Sequence, residues 1–304
     1  MPPRSASRKD RRKSSRGRRR RGWRLSRLWP SARLRRRCSR AFRRAPGAVQ
    51  ICAALGTAAV LFLAVNWIYQ VVHKPTELFF PVSGTLYKSP PETWREYGPL
   101  FQKYSTDVMT PELLAALAQV EGSGNPIVRT YWRWSWGAHP FQVYRPASSA
   151  VGMYQLTDGT FAQAKRYCIH DHRVVEEGSW DDWHACWFNS LYMRVIPRDA
   201  IEMTSAYLDR AVDATLRTHH RQFATLQQKQ DLAAVIHLCG AGAGDLYARR
   251  GLELTRGQKC GDHEARVYVG RVKAMERLFS RLEGQRGRAA AAATLAETGA
   301  NGTG

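Results

Sequence analysis

Acidic residues are almost missing from the first 44 positions of this 304-residue chain, where Asp10 stands alone against 20 Lys and Arg, a net of +19. The whole chain carries +22, so the other 260 residues carry only +3 (22 − 19). A basic nucleic-acid-binding domain running through the chain is therefore excluded. A second long apolar run is absent, which excludes a polytopic membrane protein. Cys-x-x-Cys pairs are absent, and no His/Cys group has zinc-finger spacing, so neither a metal nor another cofactor is expected. Strand signals are scarce. What remains is 44% hydrophobic and 11% aromatic. That suffices for a buried core and excludes collagen-like, coiled-coil and wholly disordered classes.

Residues 1–44 cannot bury enough apolar surface to offset the entropy of ordering, so a disordered Arg-rich tail is expected. Ala48–Tyr69 follows, AVQICAALGTAAVLFLAVNWIY, 22 residues without a charge. At 1.5 Å per residue it spans roughly 33 Å, enough for a hydrocarbon core of about 30 Å. Trp67 and Tyr69 stand at its far end, where an interfacial aromatic belt belongs. A cleaved signal peptide is the rival reading. Its apolar region is shorter, about 7–15 residues, and ends in a small-x-small site. This run ends in NWIYQVVHK, which favours an uncleaved anchor. The positive charge before the span predicts a cytoplasmic N-terminus and residues 73–304 across the membrane. For a bacterium that means a single-pass inner-membrane protein with a periplasmic body. A topology signal is the simplest role for the tail. Contact with anionic lipid or nucleic acid is the alternative, and no specific nucleic acid is expected as a partner.

Cys38 and Cys52 belong to the tail and the anchor. Cys168, Cys186, Cys239 and Cys260 lie in the body, an even number suited to two disulfides in an oxidising compartment. Three pairings are possible. The local one, Cys168–Cys186 with Cys239–Cys260, closes the shortest loops. Residues 73–92 are rich in proline and turn formers and read as a linker. The body covers 93–283, and 284–304 reads as a flexible Ala-rich tail. Helices are expected at 93–105, 110–121, 158–167, 198–217, 227–239 and 262–282. The clearest is 110–121, with Thr110 as N-cap, Pro111 at the first helical position and an apolar stripe through Leu113, Leu114, Leu117 and Val120. The fold class is mainly α, with a long irregular excursion at 122–150.

Glu121 ends that helix on the face shared by Leu114 and Leu117. A carboxylate there is disfavoured by desolvation and by the negative end of the helix dipole. Both favour the protonated form that a general acid needs. The plain alternative is an exposed glutamate in a last turn. Next comes RTYWRWSWGAHPFQVYR (129–145), with six aromatics between Tyr131 and Tyr144. Such a loop beside a carboxylate suits a sugar cleft, because aromatic faces pack on pyranose rings. Tyr131 and Trp134 are the candidates. The alternative is that several of these rings cap the core.

Residues 146–168 supply Ser148 and Ser149 ahead of a Gly152-Met153-Tyr154-Gln155-Leu156 turn, then a Thr157 or Asp158 cap. Together, four blocks carry a resemblance: Glu121 with Ser123–Pro126; Ser149-x-x-Gly152-x-x-Gln155-Leu156; DLAAVIHLCGAGAG (231–244); and EARVYVGRV (264–272). In this order, over about 105–275, the chain resembles the lytic transglycosylase domain of the soluble lytic transglycosylase and goose-type lysozyme group. It departs from that pattern at Gly122, where the family has Ser, at Tyr154, where it has Met, and at Asp158, near the usual Pro. His237 aligns with a family tyrosine, and the aromatic insertion is longer than the common gap.

The resemblance implies a lysozyme-like helical fold and cleavage of the β-1,4 bond between N-acetylmuramic acid and N-acetylglucosamine in peptidoglycan. It implies one catalytic residue, Glu121, and no metal. Glu121 protonates the glycosidic oxygen, then takes the proton of the muramyl 6-hydroxyl, which closes on C1 as a 1,6-anhydro sugar. The substrate's acetamido carbonyl assists at C1. Gln155 would touch substrate or shape the cleft, and Ser149 and Tyr154 are weaker candidates of the same kind. His237 is either a satisfied core histidine or a partner of Glu121 or the sugar. A hydrolase would want a second acid, for which Asp158, Asp181, Asp182 and Glu202 are candidates. The partners implied are glycan strands, the membrane and an envelope secretion or cell-wall machine. A muramidase and a catalytically inactive glycan-binding module are the alternatives.

Overall fold

Thr110 and Pro111 start the helix around which the fold is built. In the computed structural model the described residues are 39–40, 42–137, 139–178 and 185–300. Two compact units divide the chain, residues 1–62 and 63–304. Beyond helical residues at 39–40 and 42–44, the first is described by α1 (Gly47–His73), whose last residues belong to the second unit and which is long and apolar enough to cross a membrane. Residues 1–38, most of the expected Arg-rich tail, lie outside the described residues.

The helices of the second unit are α2 (Phe80–Ser83), α3 (Pro90–Lys103), α4 (Pro111–Gly122), α5 (Asp158–Ala164), α6 (Pro197–Thr218), α7 (Leu226–Cys239), α8 (Ala241–Arg249) and α9 (Ala265–Ala300). The Thr110 hydroxyl accepts the Leu113 N–H at 3.3 Å, and Pro111 needs no donor there. Every residue from Leu113 to Ala118 is buried. A helix apolar on all sides belongs at the centre of a domain. Accordingly α9 packs along one side of α4 and α3 along another. Trp94 of α3 meets Phe279 of α9 with ring centroids 5.5 Å apart. The pair α7 and α8 packs against α6 and α9.

Strand is limited to three antiparallel hairpins among the described residues: β1 (Trp132–Trp134) with β2 (Tyr144–Pro146), β3 (Tyr167–His170) with β4 (Arg173–Glu176), and β5 (Lys259–Cys260) with β6 (His263–Glu264). The fold is thus mainly helical, and the irregular excursion contains the first hairpin. Both local disulfides form, Cys168–Cys186 and Cys239–Cys260.

Two stretches are more ordered than composition implies. Residues 73–92, read as a linker, carry a 3-10 turn (Pro75–Phe79) and α2. Glu77 in that turn is fully buried; it pairs with Arg129 at 3.0 Å and Lys74 at 3.4 Å, and accepts the Trp132 indole N–H at 2.9 Å. A buried carboxylate requires partners of this kind; Lys74 is three positions away, and Arg129 and Trp132 come from more than fifty positions away. The expected C-terminal break at residue 283 is also absent. Helix α9 runs on through the Ala-rich segment to Ala300, consistent with the high helix propensity of alanine.

Candidate functional site

Glu121 sits in the last turn of α4. The helix ends there because Ser123 takes a left-handed conformation, φ 49°, and the Gly124 N–H returns to the Ala118 carbonyl at 3.1 Å. Gly122 is needed beside it: a Cβ would lie 2.8 Å from the Met153 backbone. The turn Gly152–Gln155 therefore presses directly on the helix end. Gly152 has φ +81°, and a Cβ there would meet the Arg194 carbonyl at 2.2 Å.

Three elements meet at the Glu121 carboxylate. Tyr268, from the first turn of α9, donates its hydroxyl to Oε1 at 2.5 Å. His237, from the last turn of α7, places Nε2 3.8 Å from the same oxygen, beyond hydrogen-bond range. The Tyr154 backbone also faces the ring and favours its protonated form. The side chains of Glu121 and His237 are 17% and 6% exposed, so the carboxylate reaches solvent while its flanks are closed. Oε2 has no hydrogen-bond partner among the described residues.

Burial sets the protonation of both neighbours. Desolvation lowers the His237 pKa; the Glu121 charge and the Tyr154 backbone oppose it only in part. The ring is neutral near pH 7. Desolvation, reinforced by Glu121, pushes the Tyr268 phenol well above its usual value. It stays a donor. A carboxylate held by one phenol, beside a neutral imidazole and open on one side, can give and take a proton at a bound ligand.

The other expected site residues are placed as follows. Ser149 is structural in its contacts: its hydroxyl accepts the Asp158 N–H at 3.2 Å and its carbonyl accepts from Arg194 at 3.0 Å. Tyr154 is fully buried and donates its hydroxyl to the Leu114 carbonyl at 3.1 Å. It faces the core beneath the site, and only its backbone reaches His237. Gln155, at φ 47°, turns its amide back to the Gly152 and Val128 carbonyls at 2.9 and 3.3 Å. Tyr131 and Trp134 are exposed on the first hairpin. Tyr131 lines a cavity of about 640 Å³ with Leu63, Trp67 and Tyr144, and Glu121 is not among its lining residues.

Of the candidate second acids, Asp158 pairs with Arg194 at 2.8 Å. Glu202 is buried, accepting the Ile169 N–H at 3.1 Å and the Tyr192 hydroxyl at 2.8 Å. Asp181 and Asp182 lie outside the described residues. No group of three or more potential metal ligands occurs among the described residues. Tyr268 is the site residue that sequence reasoning passed over. Its signal was present in EARVYVGRV, but nothing local links that block to a glutamate 147 positions earlier. No protein-family model, curated protein or solved structure matches this chain.

Proposed function

We propose that the second unit is a lysozyme-like peptidoglycan lytic transglycosylase and that Glu121 is its catalytic residue. The reading rests on one observation above all. Glu121 is a part-exposed carboxylate at the end of a buried helix, with one oxygen fixed by Tyr268 and the other unengaged among the described residues. Such a group serves as acid and then as base in a single site. As the acid it protonates the glycosidic oxygen while the bond to C1 breaks and the substrate's acetamido carbonyl supports C1. As the carboxylate it accepts the proton of the muramyl 6-hydroxyl, whose oxygen closes on C1. Atoms balance without water, and Glu121 ends protonated as it began.

Two further observations support the reading. Of the candidate second acids among the described residues, Asp158 is engaged by Arg194, and Glu202 by Ile169 and Tyr192. Helix α1 and the two disulfides favour a body outside the cytoplasm, held at a bacterial inner membrane with glycan strands in reach. The test is digestion of peptidoglycan by the full chain in detergent, with mass spectrometry of the released muropeptides and Glu121→Gln in parallel. Anhydro-muropeptides from the native chain alone are expected. Reducing-end products would replace the transglycosylase by a muramidase. Glycan binding without any product would make the protein a binding module.

A further inference from the structure

Asn66 and Gln70 are polar residues at the distal end of an apolar helix. They stand one turn apart on one face, and both are buried. Each donates to the first hairpin: Asn66 to the Tyr144 carbonyl at 2.6 Å and Gln70 to the Phe141 carbonyl at 3.0 Å. Tyr69 stacks on Phe141 with centroids 5.7 Å apart. The hairpin thus lies across α1 where its apolar run ends.

The hairpin's own chemistry is unusual for a glycan platform. Trp134 and Trp136 stack on each other and are 56% and 88% exposed. Trp67, near the end of α1, is 44% exposed. Large exposed aromatics at the end of an apolar span suit the headgroup layer, where an apolar ring body and a polar N–H are both satisfied. Arg133 and Arg145 stand directly opposite each other across the strand pair. Like charges in that register destabilise a hairpin. Residues 129–145 contain no acid to offset them; Arg133 is exposed, and Arg145 is part-buried and donates to the Gln142 side chain at 3.3 Å. An anionic surface would offset them.

We propose that the described residues of 131–146 form an aromatic and arginine collar seated in the anionic headgroup layer of the membrane, beside the end of α1. This rests on α1 being a membrane anchor. The collar is joined to the site: Arg129 bridges to Val151, and the Gly152 N–H bonds the Val128 carbonyl at 3.1 Å. It therefore fixes the height of Glu121 above the bilayer and selects glycan close to the membrane.

The test uses the full chain in vesicles of phosphatidylethanolamine and phosphatidylglycerol, with Cys38 and Cys52 changed to serine. Single nitroxides replace Leu55, Trp136 or Phe223, and their accessibility to oxygen and to a water-soluble nickel complex is measured. All three positions are exposed on the protein. Leu55 should read as lipid, Phe223 as water, and Trp136 as interface, with nickel access several-fold below that at Phe223. Lipid values at Leu55 with aqueous values at Trp136 would overturn the collar alone. Aqueous values at Leu55 would remove the anchor and the collar together. Aqueous values at Trp136, combined with weaker glycan binding in Trp134→Ser/Trp136→Ser, would assign the hairpin to the substrate instead.

Discussion

Tyr268 and His237 bracket one carboxylate oxygen, and they predict different experiments. Tyr268→Phe keeps the ring and removes the donor to Glu121. A hydrogen bond to a charged group contributes about 1.5–3 kcal/mol. Losing about 1.4 kcal/mol from the transition state alone is about tenfold in rate. Steady-state digestion should therefore show kcat down by about tenfold or more with KM little changed. An unchanged kcat would separate Tyr268 from the chemistry. His237 predicts a pH effect on stability. Its folded pKa is depressed by burial, so below about pH 6.5 the unfolded chain binds a proton that the folded one refuses. Stability is then lost as pH falls from about 6.5 through the lower folded value. Thermal melts between about pH 7.5 and about pH 5 should show a steeper fall in the native chain than in His237→Gln. Parallel falls would mean that the ring titrates as in water.

At the scale of elements, the end of α4 is the most constrained place in the fold. Gly122→Ala would push a methyl to 2.8 Å from the Met153 backbone. Overpacking of this kind costs about 1–3 kcal/mol. Gly152→Ala meets a carbonyl at 2.2 Å and adds the penalty of a positive φ. Denaturant melts should rank the two variants in that order, with Gly152→Ala the less stable. The same region marks what sequence alone conveys. The cap at Thr110, the stripe behind it and the glutamate at its end are local, with a 3.6-residue period and a capping preference, so α4 and Glu121 are legible within one turn of their true places. Helices α6 and α7 are legible for the same reason. Glu77 is not, because proline and turn residues say nothing about a charge pair with Arg129. Gln155 reads as touching substrate or shaping the cleft, and Tyr154 as a weaker candidate of the same kind; their side chains bond to backbone carbonyls. Direction of a side chain depends on turn conformation, here φ 47° at Gln155, and a motif does not encode it.

Across the whole molecule, the two disulfides are chemically alike and structurally unequal. Cys168–Cys186 ties β3 to the 3-10 turn Trp187–Leu191, and neither carries a Glu121 partner. Cys239–Cys260 ties the end of α7, two residues past His237, to β5, which leads through β6 into the first turn of α9 and Tyr268. That bridge joins α7 to the hairpin that leads into α9. The links span 18 and 21 residues. Loops of that size give nearly equal stabilisation, about 3 kcal/mol each on the chain-entropy argument. Replacing either pair with serine should therefore lower the melting temperature by similar amounts. Activity should not follow stability. Well below both melting temperatures, Cys239→Ser/Cys260→Ser should lose much of its kcat, because His237 and Tyr268 are no longer held in one frame. Cys168→Ser/Cys186→Ser should keep it. Equal activity in the two double variants, measured on the same peptidoglycan, would show that packing of α7 and α9 on α4 holds the site without the bridge.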